Sequence, residues 1–345
     1  MGWESAARRG RTHTYRLIGY TAPSPESTTL DKPITQATAA PSGSDWSFGG
    51  RWPYAAHFLD TSDGRVAYYD EGGTEADPVV LLHGNPSWSY LYRLIIPPLL
   101  DRDRRVIAVD HLGFGRSDKP DRSDAYGVAA HADRLEALLE SLDLRSVTLV
   151  VHDWSGPIGL RWAVRHAERI DRLLVLNTFA PRLPGPMGGR SATRMVRTPG
   201  LGSLLIRRRD VLTEQFFFKA GLADPAALDD RDRDAYRAPH PDPGSRAALL
   251  AFPRQIPYRE GDPVAELSAE NADGLGRHFR TKPVALVWGM KDVLFGPEVL
   301  RLWNELLPAA EVTEIDEAGH FVQEDAPAEV TAALLELMGD RGLPG

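Results

Sequence analysis

Residues 147–163, VTLVVHDWSGPIGLRWA, change from one type of secondary structure to another within a few positions. The β-branched and leucine residues at 147–151 are typical of a buried strand. The residues at 157–163 have the pattern of the first turns of a helix. A strand that enters a helix through so short a turn, with the small residues Ser155 and Gly156 in that turn, has the sequence form of a nucleophile elbow.

Asp153 stands at the tip of this turn, where the Gly-x-Ser-x-Gly form of the elbow has its nucleophilic serine. Backbone N–H groups and the dipole at a helix N-terminus favour an anion, so we expect the carboxylate to stay ionised. An ionised carboxylate can attack a carbon atom directly and form a covalent ester. Aspartate is also a common N-cap of helices, and residues 147–163 alone leave both interpretations open.

Other short apolar runs along the chain also predict strands, and helical spacing separates several of them. The predicted strands are residues 78–82, 105–109, 147–151, 172–176, 282–288 and 311–315, with a hairpin of 57–59 and 65–69 before them and helical spacing at 87–100 and 129–142. Strands that alternate with helices predict an α/β fold, with a mostly parallel central sheet and helices on both of its faces.

Between residues 177 and 281 the alternation stops, and the sequence predicts helical segments with many prolines but no strand. A structureless loop of this size is implausible inside a compact domain, so we expect a helical cap inserted into the α/β core. The predicted boundaries are 46–180 and 272–345 for the core and 181–271 for the cap. Residues 1–45, rich in Thr, Ser, Pro, Ala and Gly, predict a flexible N-terminal extension.

The composition argues against several classes of function. The formal net charge of −8 and the lack of a long basic run argue against a nucleic-acid partner. The chain has no cysteine, which rules out disulfides and thiolate metal sites, and the sequence shows no metal-binding constellation or phosphate-binding glycine loop. No stretch has the apolar length of a signal peptide or a membrane span, so we expect a cytoplasmic protein.

Several polar residues directly follow predicted strands, at the carboxyl ends where open parallel sheets bind their substrates. Residues 83–86 (HGNP) follow one strand, Asp153 follows the elbow strand, and Asp292 and His320 follow the last two strands. The order Asp153, Asp292, His320 is the chain order of nucleophile, acid and histidine in α/β-hydrolases. Because a simple helix cap would not be accompanied by an acid and a histidine at these strand ends, the combination favours a catalytic Asp153.

From about residue 52 to 338 the chain resembles the haloalkane dehalogenases of the α/β-hydrolase superfamily. The HGxP and elbow motifs are shared with epoxide hydrolases, whereas Asn85 after His-Gly and the segment at 236–257 favour dehalogenases. The similar segments are HGNPSWSYLYR at 83–93, VDHLGFGRSDKP at 109–120, VVHDWSGPIGLRWA at 150–163, YRAPHPDPGSRAALLAFPRQIP at 236–257 and GHFVQEDAP at 319–327.

The resemblance implies hydrolytic dehalogenation of a small apolar halogenated substrate to an alcohol and a halide ion, without a cofactor or a metal. In that mechanism Asp153 displaces the halide and forms an alkyl-enzyme ester. His320, oriented by Asp292, then activates the water that hydrolyses the ester. The backbone N–H groups of Asn85 and Trp154 would form the oxyanion hole, and their side chains would bind the halide.

Further positions distinguish subgroups of this family. Residues 212–222 contain no tryptophan that could bind the halide from the cap, and Asn177 stands where one subgroup has a catalytic glutamate. The pattern therefore resembles the subgroup with an Asp-His-Asp triad and an Asn-Trp halide pair. The family usually has glycine where Ser155 stands, and the effect of this change on activity is left open. The candidates for the substrate pocket, which core packing explains equally well, are Phe252, Pro253 and Phe321.

Two alternative functions stay open at this point. An epoxide hydrolase uses the same Asp, His and Asp but needs tyrosines in the cap, for which Tyr236 and Tyr258 are candidates. A non-catalytic binding protein on this scaffold would be expected to lack a member of the triad, and none is missing. We interpret His83 and His152 as structural and the acidic run 229–234 as a solvated helix face. The oligomeric state is left open.

Overall fold

The computed structural model describes residues 45–179, 194–257 and 261–340. The predicted flexible extension at 1–45 therefore lies outside the described residues except for Asp45. Within the described ranges, no helix combines the length and the apolar character that crossing a bilayer requires.

A central sheet of eight strands in the order β1-β2-β4-β3-β5-β6-β7-β8 forms the core. The first three strands in this order pair antiparallel, and all the others pair parallel. The strands are β1 His57–Thr61, β2 Gly64–Glu71, β3 Pro78–Leu82, β4 Arg105–Val109, β5 Val147–Asp153, β6 Ile170–Thr178, β7 Val284–Gly289 and β8 Glu311–Ile315.

The burial of each strand follows from its place in the sheet. Every residue of β3, β5 and β7 is buried, which is why these strands appear in the sequence as continuous apolar runs. The outer strands β1 and β8 have exposed positions in alternation with partly buried ones. The predicted strands and the hairpin are confirmed, and so is the α/β fold with a mostly parallel sheet.

Helices connect the strands and cover the sheet. Those of α-helical geometry include α1 Ile96–Leu100, α2 Val128–Ser141, α3 Ser155–Arg165, α4 Asp230–Arg237, α5 Ala247–Arg254, α6 Pro263–His278, α7 Pro297–Leu306, α8 Val322–Asp325 and α9 Pro327–Leu337. The described residues also form short 3₁₀ turns at Ser89–Tyr92, Ser123–Tyr126 and Ala167–Arg169 and wider π-helical turns at Ser203–Arg208 and Leu212–Ala220.

The helical spacing at 87–100 does not produce one helix. The segment divides into the 3₁₀ turn Ser89–Tyr92 and the short helix α1, whose first turn contains Pro97 and Pro98. Proline has no N–H donor and its ring clashes with a preceding turn, so it is tolerated in the first turn of a helix and not in its interior. The prolines therefore place the start of α1 at Ile96.

Helices and turns, without a strand, make up the described part of the segment between β6 and β7, which is 194–257 and 261–283. The last helix of this segment, α6, extends across the predicted cap boundary at 271 and 272. It is attached to the core, since the side-chain amide of Asn271 donates a hydrogen bond of 3.0 Å to the Pro157 carbonyl in α3. The division into a core and a cap stays a prediction.

The acidic run at 229–234 is only partly a solvated face. Asp229 caps α4 by accepting hydrogen bonds from the backbone N–H groups of Arg231 and Asp232. The carboxylate of Asp232 is buried, accepts a hydrogen bond of 2.8 Å from the Tyr90 hydroxyl and pairs with Arg93. The prediction of a solvated face was wrong for Asp232, because its partners come from a segment remote in sequence.

Candidate active site

The turn after β5 presents Asp153 at the carboxyl edge of the sheet. Asp153 is the last residue of β5, α3 begins at Ser155, and the φ of Asp153 is +49°, in the left-handed region that aspartate adopts more readily than most residues. Gly84 lies against this side chain so closely that a Cβ at Gly84 would be 2.4 Å from Oδ2 of Asp153. The loop after β3 can therefore reach the carboxylate only with glycine at that position.

Asp153, His320 and Asp292 come together although they are remote in sequence. Nδ1 of His320 lies 2.8 Å from Oδ2 of Asp292, which is a hydrogen bond. Nε2 of His320 lies 3.7 Å from Oδ1 of Asp153, which is too long for a direct hydrogen bond. The His320 side chain is fully buried and the two carboxylates are nearly so. The predicted triad residues are therefore adjacent, with the histidine between the two acids.

Burial and charge have opposite effects on the three groups. Burial raises the pKa of Asp153 to about 6, although the nearby His320 and the backbone N–H groups of Trp154 and Asn85 lower it. Burial would raise the pKa of Asp292, but His320 and the backbone N–H groups of Leu294 and Phe295 together outweigh it, and the pKa lies below its usual value. Burial would lower the pKa of His320, but Asp292 and Asp153 raise it. Asp292 is thus kept charged and strengthens His320 as a base.

The backbone N–H groups of Asn85 and Trp154 both donate hydrogen bonds to the Asp153 carboxylate. The backbone N–H of Asn85 donates a hydrogen bond of 2.8 Å to Oδ2 of Asp153, and the backbone N–H of Trp154 donates to the same carboxylate. The Asn85 side-chain amide donates a long hydrogen bond of 3.4 Å to the Leu249 carbonyl. Its Oδ1 is buried without a partner among the described residues. The oxygen Oδ1 of Asp153, by contrast, faces His320.

Aromatic rings line the space around these groups. Of the three pocket candidates, Phe252 lies 5.0 Å from the Trp154 ring and Phe321 lies 4.7 Å from the His320 ring, between ring centroids. Pro253 is buried in α5 next to Phe252.

Three phenylalanines that the sequence interpretation missed also approach the site. Phe179 lies 4.5 Å from the Trp154 ring, and Phe295 and Phe216 lie 5.5 and 5.4 Å from the His320 ring. Phe179 and Phe295 follow β6 and β7 by a few residues, so the rule that sites form at strand ends could have indicated them. The surroundings of the triad are therefore apolar and aromatic.

Asn177 has a contact that sequence did not indicate. Its side-chain amide donates hydrogen bonds of 2.9 Å to Oδ2 of Asp292 and 3.0 Å to the Gly289 carbonyl. Its Oδ1 accepts a hydrogen bond of 2.8 Å from the Gly289 backbone N–H. The position at which one subgroup of the family has an acid is here occupied by a buried side chain that orients the acid on the next strand.

The two histidines that we interpret as structural contact the backbone of the site. Nδ1 of His83 lies 2.8 Å from the Gly84 carbonyl oxygen. Nε2 of His83 accepts a hydrogen bond of 3.0 Å from the backbone N–H of His111. His152 lies 2.9 Å from the His320 carbonyl through Nε2. Neither ring contacts the Asp153 carboxylate through a hydrogen bond in the described structure, and both fix loops that carry site residues.

The hydroxyl of Ser155 connects two strand ends. Ser155 Oγ accepts a hydrogen bond of 2.7 Å from the His152 backbone N–H and lies 2.8 Å from the Leu82 carbonyl, to which it donates. Leu82 is the last residue of β3 and precedes the His83-Gly84-Asn85 loop. Serine in place of the family's usual glycine is accommodated without a buried unpaired hydroxyl.

One of the two candidate tyrosines of an epoxide hydrolase is already paired with another side chain. The hydroxyl of Tyr236 is hydrogen-bonded to the Glu324 carboxylate, and Tyr236 is fully buried. Tyr258 lies outside the described residues. Tyr236 therefore has a carboxylate partner other than Asp153.

A group of possible metal ligands lies elsewhere. In the described part of the chain, Glu136, Glu140 and His166 place their ligand atoms within 4.8 Å of one another. Glu136 and Glu140 lie on α2, and His166 directly follows α3. The Glu136 carboxylate already pairs with His166 and with Arg165. This cluster contains none of the triad residues.

The match to a family model agrees with this geometry. A model of the alpha/beta hydrolase fold matches residues 77–198 and 226–327. The chain belongs to the α/β-hydrolase fold family.

The relatives are more specific. The chain is 37% identical to a haloalkane dehalogenase of Mycobacterium marinum, over 82% of this chain and 94% of that protein. It is also 37% identical to a cis-3-alkyl-4-alkyloxetan-2-one decarboxylase of Shewanella oneidensis, over 83% of this chain and 89% of that protein. The tetrameric structure of a haloalkane dehalogenase from Paraglaciecola agarilytica matches with a TM-score of 0.72 and 30% identity, over 86% of this chain and 97% of that one. Within the fold family the chain is thus a member of the haloalkane dehalogenase group, the hydrolases that act on carbon–halide bonds.

Proposed function

We propose that this protein hydrolyses haloalkanes to alcohol and halide through a covalent ester on Asp153. The observation that carries the proposal is the arrangement of the buried carboxylate: Asn85 and Trp154 hold it through backbone N–H groups, and the His320–Asp292 pair faces its other oxygen. The substrate is a small apolar halogenated molecule, which suits the aromatic surroundings of the triad.

In the first step Oδ1 of Asp153 attacks the carbon that carries the halogen. A carbon–oxygen bond forms as the carbon–halogen bond breaks, and the halide leaves with the bonding electrons. Little water reaches the carboxylate, because the Asp153 side chain is only 4% exposed. A poorly hydrated carboxylate is a stronger nucleophile than one in water, because no hydration shell has to be removed during the reaction.

In the second step water attacks the carbonyl carbon of the ester while Nε2 of His320 takes its proton. The oxygen that becomes negatively charged is Oδ2 of Asp153, which the backbone N–H of Asn85 already contacts. Collapse of this intermediate breaks the acyl–oxygen bond, and protonated His320 gives its proton to the departing alcohol. Asp153 is left as a carboxylic acid, which releases its proton to solvent and so becomes a carboxylate again. Asp292 stabilises the protonated His320 throughout.

The leaving halide requires hydrogen-bond donors in an apolar setting. The side-chain amide of Asn85 and the indole N–H of Trp154 are the donors that we assign to it. Among the described residues the Asn85 amide makes a single long hydrogen bond, to the Leu249 carbonyl, so little is lost when it turns to a halide. The Trp154 ring packs between Phe179 and Phe252, which fixes its orientation.

A second candidate function follows from the Shewanella oneidensis relative, a cis-3-alkyl-4-alkyloxetan-2-one decarboxylase. Loss of carbon dioxide from such a ring leaves an alkene and releases no halide. The same buried Asp153 carboxylate could attack this ring, and apolar rings around the triad suit its alkyl groups. A halide donor would then be unnecessary, so the dependence on the Asn85 side chain distinguishes the two functions.

We would test the purified protein with 1-bromobutane, 1,2-dibromoethane, styrene oxide and a cis-3-alkyl-4-alkyloxetan-2-one, and follow halide, diol and carbon dioxide. Asp153→Asn should abolish halide release. Asn85→Ala keeps the backbone N–H but removes the halide donor, and should slow halide release about a hundredfold, the usual cost of one donor at a developing charge. Asn304→Ala, at a half-buried position of α7 that is not part of the proposed site, is the matched control and should be unaffected.

Each alternative has its own result. Carbon dioxide from the lactone, with no halide from either bromide and little effect of Asn85→Ala, would replace the first proposal by the second. Diol from styrene oxide without halide release would establish an epoxide hydrolase. No turnover of any of the four compounds would contradict both proposed activities and favour a binding protein.

A further inference from the structure

The loop that carries His320 is attached to the helical segment between β6 and β7 through one carboxylate. Oδ2 of Asp325 accepts a hydrogen bond of 2.7 Å from the backbone N–H of Gly319, the residue before His320. Oδ1 and Oδ2 of the same side chain lie 3.1 and 3.0 Å from the backbone nitrogen of Ala223, which donates to them. Asp325 therefore joins the loop of His320 to Ala223, which lies in the segment between β6 and β7.

The backbones meet directly at this contact. The backbone N–H of Phe321 donates a hydrogen bond of 3.1 Å to the Gly221 carbonyl. A Cβ at Gly319 would lie 2.7 Å from that carbonyl oxygen, and a Cβ at Gly221 would lie 2.6 Å from the Phe321 ring. Glycine at both positions permits an approach that any side chain would prevent, so the two segments are held at close range.

His320 is thus fixed from two directions. Asp292 holds the imidazole ring through Nδ1, at 2.8 Å. Asp325 and Gly221 hold the backbone immediately before and after His320, through Gly319 and Phe321. The basic atom of the ring, Nε2, must lie at a fixed distance from Asp153. That distance depends on the position of the His320 backbone as well as on the hydrogen bond from the ring to Asp292.

We propose that Asp325 is a positioning residue for His320: it ties the histidine loop to residues 221–223 and so sets the separation of 3.7 Å between Nε2 of His320 and Oδ1 of Asp153. This inference rests on the proposed function, because a selective effect is expected only if the histidine acts after an ester has formed on Asp153. Halide displacement by Asp153 needs no proton transfer to His320, whereas ester hydrolysis does.

The test compares wild type with Asp325→Asn and Asp325→Ala. Asparagine keeps the size of the side chain, but its NH₂ group takes the place of one of the two oxygens that contact the Ala223 N–H and cannot accept from it. Alanine has no acceptor for either Gly319 or Ala223. The matched control is Asp242→Asn, because Asp242 also accepts two backbone N–H groups, those of Gly244 and Ser245, but within its own turn. Rapid mixing with 1-bromobutane gives the rate of halide release in the first turnover, and mass spectrometry of the quenched protein gives the ester.

We expect the first-turnover halide burst to keep its rate in Asp325→Asn, while ester hydrolysis slows about a hundredfold, as a misplacement of about 1 Å can cause. The ester should accumulate on the variant and not on wild type or Asp242→Asn. A second readout needs no substrate: the Nδ1 proton of His320, bonded to Asp292, gives a downfield proton NMR signal that should shift or broaden in the Asp325 variants.

The two readouts separate this inference from the proposed function. Equal slowing of both steps, or an unshifted His320 signal in folded Asp325→Ala, would overturn the positioning role. No halide and no ester from wild type would overturn the proposed function, and the NMR signal would still decide whether Asp325 positions His320. A variant that accumulates ester with a shifted signal supports both.

Discussion

Replacing Asp153 by asparagine should abolish turnover and at the same time stabilise the fold. Burial raises the pKa of Asp153 from 3.8 to about 6, so above that pH the folded protein holds a charge that the unfolded chain carries at lower cost. A difference of roughly two pKa units corresponds to about 3 kcal/mol of lost stability. Asparagine has nearly the same shape, tolerates the positive φ of +49°, and carries no charge.

The sign of the pH dependence is fixed by the direction of this shift. Above about pH 6 the wild type is ionised in both states and bears the whole cost, so Asp153→Asn gains up to about 3 kcal/mol there. As the pH falls through 6 the folded wild type takes up a proton and the difference shrinks. Below the unfolded pKa of 3.8 both states are protonated, and the advantage of the variant disappears.

Urea unfolding at pH 8, 6 and 4, followed by fluorescence of the tryptophans, measures this difference. Glu311→Gln, an exposed position of the edge strand β8, is the matched control and should change stability by less than about 0.5 kcal/mol at each pH. A variant that is less stable than wild type at pH 8, or a stability difference that is the same at all three pH values, would refute the reasoning about the buried charge.

Other consequences of the site can be measured in the same preparation. The first-turnover rate of halide release should fall by about half at the pKa of Asp153, about 6, and about tenfold for each further pH unit, since the protonated acid is no nucleophile; a flat profile from pH 8 to 5 would contradict this. Gly84→Ala should abolish activity in a folded protein, because its Cβ would stand 2.4 Å from Oδ2 of Asp153; activity within twofold of wild type would contradict the close approach. Asn177→Ala removes the 2.9 Å hydrogen bond to Asp292 and should slow ester hydrolysis about tenfold, while the rate of the halide burst stays the same. Unchanged steady-state turnover in this variant would contradict the role of Asn177.

The sheet could be predicted from sequence because its central strands are buried on both faces. PVVLL at 78–82 and the run at 147–151 need no tertiary information to be identified as strands, and their carboxyl ends locate Asp153 and the loop of Asn85. The three residues of the proposed triad could be predicted from their order along the chain, since each stands at the end of a strand or within five residues after it. The geometry then adds distances that no spacing could give, such as the 3.7 Å between His320 and Asp153.

What sequence did not indicate depends on contacts between remote segments. The charge of Asp232 is buried because Tyr90 and Arg93 lie against it, and nothing in the run 229–234 distinguishes this aspartate from its exposed neighbours. The contact of Asn177 with Asp292 likewise requires that β6 and β7 be adjacent. The break at Ile96, in contrast, is visible in the sequence, because Pro97 and Pro98 interrupt the apolar spacing of 87–100.

A single turnover in water labelled with heavy oxygen tests the central claim, that an ester forms on Asp153. With enzyme in excess over 1-bromobutane, the account predicts that the butanol contains ordinary oxygen from the carboxylate and that the peptide containing Asp153 gains the heavy isotope. Under multiple turnovers the label should then enter the alcohol as well. Heavy oxygen in the alcohol of the first turnover, with none in the Asp153 peptide, would mean that water attacks the substrate directly and would contradict the account.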